Sequence, residues 1–465
     1  MNHPTLYDLK VATNGKVLLS GDISTNERNL PLGRVITNSG EIEPGDVFWT
    51  LKGPNFDGVD FVGEAFERGA VGAVVNKKVE AAKNGWVLEV ENTQNALWQW
   101  AAWKRRQFGG TVIAVTGSVG KSTSRQMIQT ILADRLVGSA SPQNYNNHIG
   151  VPLSMMAMEP KHDYAILEMG ASSPGEIDAL TRLCVPKVGI ITHVADAHLG
   201  GFGSRRGVAE AKGELLAALP DRGQAILVDD PWIRRIAQKS RAPITWVGRN
   251  SECDVVAEEI VSADGRLRFK VDGCDFSVSV WGRHHLSSAL VAIAVAQSMG
   301  FDMDRISSAL ENFSPLPMRC EVIETRGATV INDTYNASPA AMEAALELLR
   351  DFDSPGRRIV VCGDMAELGK NSSKLHQTLG AQTVTVGGAD LLIACGKFAN
   401  DVVDGARNAG MPKARTIPCR SPEETLPFIG QTILPGDVLL VKGSRIMAME
   451  RLVNALQYYP QRRSA

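Results

Sequence analysis

An excess of charge of either sign is missing from this 465-residue chain, in which 49 basic residues stand against 51 acidic ones for a formal charge of −2. That balance provides no electrostatic footprint for nucleic acid or for an anionic membrane, so an anionic ligand has to be met by local groups. Cysteine pairing is missing too. The seven cysteines are odd in number and scattered without C-x-x-C spacing, which argues against a disulfide framework or a zinc site and for reduced, buried thiols. No apolar run approaches the length of a membrane span, and the opening M-N-H-P-T-L-Y-D-L-K lacks a basic segment followed by an apolar one. A cytoplasmic protein is expected. The length exceeds what one core holds and suggests about three domains.

What is present is organised around T-V-I-A-V-T-G-S-V-G-K-S-T, residues 111–123. Val112 to Val115 form a short apolar run ending in Thr116 and Gly117, the pattern of a buried parallel strand entering a glycine turn. Lys121, Ser122 and Thr123 then open a helix with apolar residues at Met127, Ile128, Ile131 and Leu132. Strand, loop and helix N-terminus make Gly117, Ser118, Val119, Gly120, Lys121, Ser122 and Thr123 a phosphate cradle. Backbone N–H groups and the helix dipole face the anion, Lys121 adds a point charge, and the Ser122 hydroxyl reaches Mg²⁺. A nucleoside triphosphate is the expected ligand, although Val115 holds the place of the first glycine in G-x-x-x-x-G-K-[ST]. The bare G-x-x-G-K-S also occurs in ordinary turns; its place between strand and helix favours phosphate.

Residues 1 to about 105 read as a separate small α/β unit, with strands over 46–51 and 70–75, a helix over 61–68 and a turn-rich loop over 52–60. Trp98, Trp100 and Trp103 lie on a helix leading to the centre, where packing is their expected role. Residues 143–152, Q-N-Y-N-N-H-I-G-V-P, form a loop rich in donors and acceptors. A strand over 164–170 ends in Glu168. The carboxyl ends of parallel strands face the ligand crevice, which makes Glu168 a candidate Mg²⁺ ligand. A strand over 187–192 delivers His193, Asp196 and His198, without the further ligands of a zinc site. Their position favours a crevice role for at least one of them over a solvated loop.

In the following helix Val208, Ala211, Leu215, Leu216 and Leu219 mark an apolar stripe, and Lys212 shares its side. Such a lysine either snorkels to water or sits neutral or modified, and the pattern allows both. Alternating segments at 266–271 and 276–281 form a β-rich excursion, followed by a helix over 286–299. Beyond the proline-punctuated boundary 314–318, strands over 329–332, 358–362, 390–395 and 437–441 alternate with helices over 339–350, 374–384 and 446–456. This is a second doubly wound domain, and without G-x-G-x-x-G it implies no dinucleotide.

In register along nearly the whole chain stand T-G-S-V-G-K-S-T, N-Y-N-N-H-I-G-V-P, L-E-M-G-A-S-S-P-G-E-I, A-D-A-H-L-G-G-F-G-S, A-E-A-K-G-E-L, G-R-H-H-L-S-S-A-L, P-M-R-C-E, N-D-T-Y-N-A-S-P, G-D-M-A-E-L-G and V-K-G-S-R. Together they resemble the Mur ligase family. The resemblance implies an α/β chain of three domains. These are a small N-terminal α/β domain over 1–105 for a UDP-muramoyl peptide, a central P-loop ATPase-like parallel sheet with a β-rich excursion over 106–315 for ATP, and a C-terminal Rossmann-like α/β domain over 316–465 for the acceptor. The implied activity is ATP-dependent joining of D-alanyl-D-alanine to a UDP-N-acetylmuramoyl tripeptide through an acyl phosphate, in peptidoglycan precursor synthesis. A monomer that engages neither nucleic acid nor membrane is implied with it.

The resemblance also implies roles. Lys121, Lys212 and His198 are catalytic. Ser122 and Glu168 hold one Mg²⁺, and Glu168, His198 and Lys212 serve a second, with Lys212 as its carbamate. Asn146 lies near the ATP phosphates, His284 near the adenine, and Arg319 reaches the phosphates from the third domain. Asp333, Tyr335 and Asn336 help to close that domain over nucleotide and substrate. Some positions depart from the family pattern. Asn38, Ser39 and Gly40 replace D-S-R at the uridine nucleotide site, and His285 and Ser288 replace both asparagines of H-N-x-x-N. Ser172 and Ser173 replace an asparagine-histidine pair, and Asn332 the first aspartate of D-D-S-Y-N. Phosphate and metal residues keep the pattern while recognition residues differ. A ligase with another acceptor, or a nucleotide-binding regulator that has lost ligation, stay as alternatives.

Overall fold

A computed structural model describes residues 4–19, 30–81 and 85–458. Among the described residues the chain is α/β and builds four sheets of five, seven, three and six strands. It divides into two compact units, one of residues 1–114, 135–170 and 178–187, the other of 115–134, 171–177 and 188–465.

In the first unit the five-stranded sheet is ordered Lys16–Leu19, Trp86–Glu89, Gly72–Val75, Val47–Trp49, Val35–Ile36. All pairings are parallel except that of the antiparallel edge strand Lys16–Leu19. Alternate side chains serve two cores. Val47, Trp49, Val74 and Leu88 pack with Leu6, Leu9, Leu97 and Trp100 of the helices Leu6–Thr13 and Thr93–Gln107, whereas Phe48, Ala73, Val75 and Val87 pack with Val62 and Ala65. Covering both faces explains why these strands read as continuous apolar runs. The tryptophans pack, as expected: Trp100 and Trp103 stack at 4.6 Å, and Trp98 Nε1 donates to the His148 carbonyl at 2.7 Å.

The seven-stranded sheet is ordered Val255–Val256, Ile244–Gly248, Gln224–Val228, Val188–Ile191, Thr111–Thr116, Tyr164–Met169, Gly138–Ala140. The pairings from Val255–Val256 through to Val188–Ile191 are parallel, as is that of Gly138–Ala140 with Tyr164–Met169. Thr111–Thr116 feeds the helix Lys121–Leu132, which packs against Leu286–Ser298. The latter helix is buried almost all round from Ser288 to Ala296, as its apolar run from Ala289 to Ala296 requires. The β-rich excursion is an antiparallel meander of Glu258–Ala263, Arg266–Val271 and Cys274–Val278. Its turns are Asp264-Gly265 and Asp272-Gly273, all at positive φ, the conformation that suits a two-residue hairpin turn.

The six-stranded sheet runs Glu321–Thr325, Ala328–Asn332, Val438–Lys442, Arg358–Cys362, Leu391–Cys395, Thr416–Cys419. Only its first pairing is antiparallel. Helices bury an apolar core on each face, which is the expected doubly wound arrangement. Two expected elements differ. The stripe from Val208 to Leu219 is two helices, Arg205–Lys212 and Glu214–Ala218, meeting at Gly213, where a Cβ would come within 3.0 Å of Lys239. The loop expected over 143–152 gives way to the helix Gly150–Met156. Asn147 supplies the reason, since its Oδ1 accepts the Gly150 N–H at 2.9 Å. Among the described residues, no helix is long and apolar enough to cross a membrane.

Candidate active site

The phosphate loop is stitched to the segment after strand Val188–Ile191. Ser118 N–H donates to the His193 carbonyl at 2.8 Å, Ser118 Oγ accepts the Ala195 N–H at 3.0 Å, and Thr192 Oγ1 donates to the Val119 carbonyl at 2.6 Å. A Cβ on Gly117 would stand 2.0 Å from Thr192 Oγ1, so only glycine admits this approach. Gly120, at φ +85°, turns the chain into the helix. Lys121 Nζ donates back to the Gly117 carbonyl at 2.6 Å, which holds its charge over the loop.

Residues distant in sequence meet this helix. Arg319 Nη2 donates to Ser122 Oγ at 3.1 Å across 197 positions, and its guanidinium lies 4.0 Å above the Tyr335 ring. Arg319 Nε is buried and has no hydrogen-bond partner among the described residues, an orphan donor beside the loop. Asp333 accepts from Lys442 Nζ at 2.6 Å and from the Cys320 N–H at 3.3 Å. Lys442 also donates to the Asn336 carbonyl at 2.8 Å. Ser122, Arg319 and Tyr335 are thus brought together, as are Asp333 and Asn336. Lys442 stands out in the sequence only as part of V-K-G-S-R, which gives no hint of this role.

Lys212 does not snorkel. It is 2% exposed, at the end of its helix, and its Nζ lies 6.0 Å from the Phe202 ring centre. Burial, then the charge of Lys121, lower its pKa to about 7 against the weaker pull of Glu214 and Glu176. Both carboxylates already accept backbone N–H groups, from Gly175 at 2.7 Å and Ser172 at 2.9 Å. His198 is left-handed at φ +50°, and its Nδ1 faces Glu367. Burial holds this imidazole below its ordinary pKa, with Glu367 opposing and Lys121 and Lys212 assisting. Glu367 is a partner that sequence reading missed. His193 pairs with Asp230 at 3.3 Å, and Asp196 with Arg205.

A cavity of about 940 Å³ in the second unit is lined by His193, Asp230, Arg249, Trp281 and His284 among others. His284 is open to solvent at this crevice yet crowded by protein on its other sides, and that crowding lowers its pKa to about 4.

In the first unit, Glu168 is 1% exposed at the carboxyl end of its strand, and its N–H donates to Ser141 Oγ at 3.2 Å. The Asn146 carbonyl accepts the Gly170 N–H at 2.7 Å. At the Asn38–Gly40 turn, Asn38 Oδ1 accepts the Gly40 N–H at 3.1 Å, and Arg68 Nη1 donates to the Gly40 carbonyl at 3.2 Å. A guanidinium is therefore present at this turn, delivered from another element.

Mg²⁺ prefers hard oxygen donors. The Ser122 hydroxyl and the Glu168 carboxylate fit that requirement, and an amine at Lys212 does not. Only with an oxygen-bearing group on its nitrogen would Lys212 fit it as well.

The Mur ligase middle domain family matches residues 115–296, and the Mur ligase, glutamate ligase domain family matches residues 318–445. The UDP-N-acetylmuramoyl-tripeptide–D-alanyl-D-alanine ligase of Bacillus subtilis is 33% identical over 426 residues, covering 91% of this chain and 92% of the relative. MurF from Acinetobacter baumannii superposes with a TM-score of 0.86 at 30% identity, over 98% of this chain and 99% of that one. MurF ligase from Thermotoga maritima, solved in complex with ADP, gives 0.79 at 29% identity, over 91% and 97% of the two chains.

Proposed function

We propose a reaction for this chain, which belongs to the Mur ligase family: it joins D-alanyl-D-alanine to a UDP-N-acetylmuramoyl tripeptide, converting ATP to ADP and phosphate. A carboxylate oxygen of the tripeptide attacks the γ-phosphorus as the bond to the β-phosphate oxygen breaks. The dipeptide amine then attacks the acyl carbon, phosphate leaves, and the amine gives up a proton.

The observation that carries this reading is the convergence of cations on the first helical turn after the glycine loop. Lys121 lies over the loop, and Arg319 reaches Ser122 from the far segment. Carboxylate and triphosphate repel each other, and fixed cations at this turn offset that repulsion as they meet. The orphan Nε of Arg319 is a donor for a phosphate oxygen. Asp333, Lys442 and Asn336 hold the segment that carries Tyr335, which in turn positions Arg319. His284 and the cavity it lines would receive the adenosine, and Asn146 would orient the phosphates.

Ser122 and Glu168 would hold one Mg²⁺, and Glu168, His198 and Lys212 another; such ions neutralise charge on the transferring phosphoryl group. Lys212 would serve as a carbamate. Its neutral amine attacks CO₂, an N–C bond forms, one proton leaves to solvent, and the side chain gains anionic oxygens. Residues 1–105 would bind the UDP-muramoyl peptide, with Arg68 in place of the arginine absent at Gly40. Residues 106–315 would hold ATP, and 316–465 the dipeptide. Seven free cysteines suit a reducing cytoplasm, where the protein would act as a monomer.

Phosphate release from ATP tests the reading. It should require both the UDP-muramoyl tripeptide and D-alanyl-D-alanine, and Lys121→Ala should abolish it in a folded protein. Full release with another amino acid or dipeptide in place of D-alanyl-D-alanine would overturn the acceptor, and release without any acceptor would overturn ligation.

A further inference from the structure

Sequence spacing gives no reason to look for a thiolate metal site, yet the fold assembles ligands from two segments. The turn Arg283–His285 carries two histidines, and Cys320 precedes the strand Glu321–Thr325. Their ligand atoms all lie within 4.8 Å of one another. His284 Nε2 stands 3.8 Å from Cys320 Sγ, and the two imidazole centres are 4.1 Å apart with planes inclined at 43°. We propose that His284, His285 and Cys320 form a site for a borderline-soft divalent ion of the Zn²⁺ and Co²⁺ class.

The donor chemistry selects the ion. Two imidazole nitrogens and one sulfur suit Zn²⁺ or Co²⁺ and are poor ligands for Mg²⁺, so this site and the oxygen donors near the phosphate loop take different metals. Three protein ligands leave a fourth tetrahedral position, and the solvent-facing side of His284 gives water access to it.

The frame around the ligands is held. Cys320 sits at φ +52°, and its N–H donates to Asp333, whose other oxygen is fixed by Lys442. The nearby cations oppose a metal less than their number suggests. Lys442 is paired with Asp333, and Arg319 is directed to Ser122 and the Tyr335 face. Among the described residues the other buried cysteines offer no comparable set: Cys184 and Cys395, for example, each lie 3.7 Å from a methionine sulfur. An occupied site would tie the turn 283–285 to residue 320 and remove His284 from the nucleotide cavity. That inhibitory consequence rests on the ligase reading, whereas the site does not.

The test is titration of the reduced, metal-free full chain with Co²⁺ alone. One equivalent should produce tetrahedral d–d absorption and a near-ultraviolet thiolate-to-cobalt charge-transfer band. Cys320→Ser should abolish that band, and His285→Asn should weaken Co²⁺ binding by about tenfold or more. X-ray absorption of the Zn²⁺-loaded wild-type chain needs no variant, and should give one sulfur near about 2.3 Å with nitrogens near about 2.0 Å. A coordination shell of oxygen alone, or a charge-transfer band that persists in Cys320→Ser, would overturn the site. These readouts are independent of turnover, so they stand or fall separately from ligation.

Discussion

Two lysines in the second unit are almost equally buried, Lys212 at 2% exposure and Lys442 at 3%, and their surroundings differ in kind. Lys442 Nζ meets the Asp333 carboxylate at 2.6 Å and the Asn336 carbonyl at 2.8 Å, so its charge is opposed and its donors are used. Lys212 has an aromatic ring at 6.0 Å, a second lysine in its field, and two carboxylates that already serve backbone N–H groups. Burial therefore does not mark chemistry by itself. A buried cation facing an anion is a structural strut, whereas a buried amine facing another cation is held ready to lose its proton.

The largest expected effect from breaking this comparison is on catalysis. Lys212→Ala should lower ligation by about a hundredfold to a thousandfold, measured as ADP release, and acetate or formate should restore part of it by filling the vacated oxygen site. Full activity in this variant would make Lys212 a packing residue. Lys442→Met should act on stability instead. Leaving the mostly covered Asp333 carboxylate without its cation should cost about 3 kcal/mol, measured by denaturant unfolding, and an unchanged midpoint would show that the pair is no strut.

A smaller effect separates the two lysines by pH. Folding lowers the Lys212 pKa to about 7, so from there up to the ordinary lysine range the unfolded chain binds more protons and wild-type stability rises with pH. The burial penalty is fully present below about pH 7. In CO₂-free buffer Lys212→Met should therefore be more stable than wild type near pH 6 by up to a few kcal/mol, because each tenfold loss of proton affinity on folding is worth about 1.4 kcal/mol. The advantage should shrink as pH rises from about 7 to about 10.5. A pH-independent difference would contradict the depressed pKa. The smallest effect concerns the uridine turn of the first unit. Arg68→Ala should weaken binding of the UDP-muramoyl tripeptide by about threefold to tenfold, as loss of one exposed charged contact would, measured by calorimetry; unchanged affinity would remove Arg68 from that role.

Local chemistry made much of this molecule legible. The phosphate loop could be read because strand, glycines and helix are contiguous, and the β-rich excursion because its strands follow one another closely along the chain. Strand Thr416–Cys419 escaped because it is an edge strand interrupted by Pro418, which hides the alternation. The antiparallel strand Glu321–Thr325 escaped for a related reason: it is half-exposed at the opposite edge and lacks an apolar run. Site partners were least legible. Arg319 with Ser122, Lys442 with Asp333 and Glu367 with His198 meet only after long loops close, and no periodicity links them. Lys212 was ambiguous because an apolar stripe gives a direction but no depth, and the break at Gly213 that ends its helix leaves no sign in that stripe.

The carbamate proposed at Lys212 is tested by ¹³C NMR of the chain equilibrated with ¹³C-labelled bicarbonate, ATP and Mg²⁺ near neutral pH. One protected carbamate carbonyl resonance is expected, absent in Lys212→Met and fading, together with ligation, when CO₂ is stripped. An active, nucleotide-bound protein with no such resonance and an unmodified Lys212 mass would contradict it.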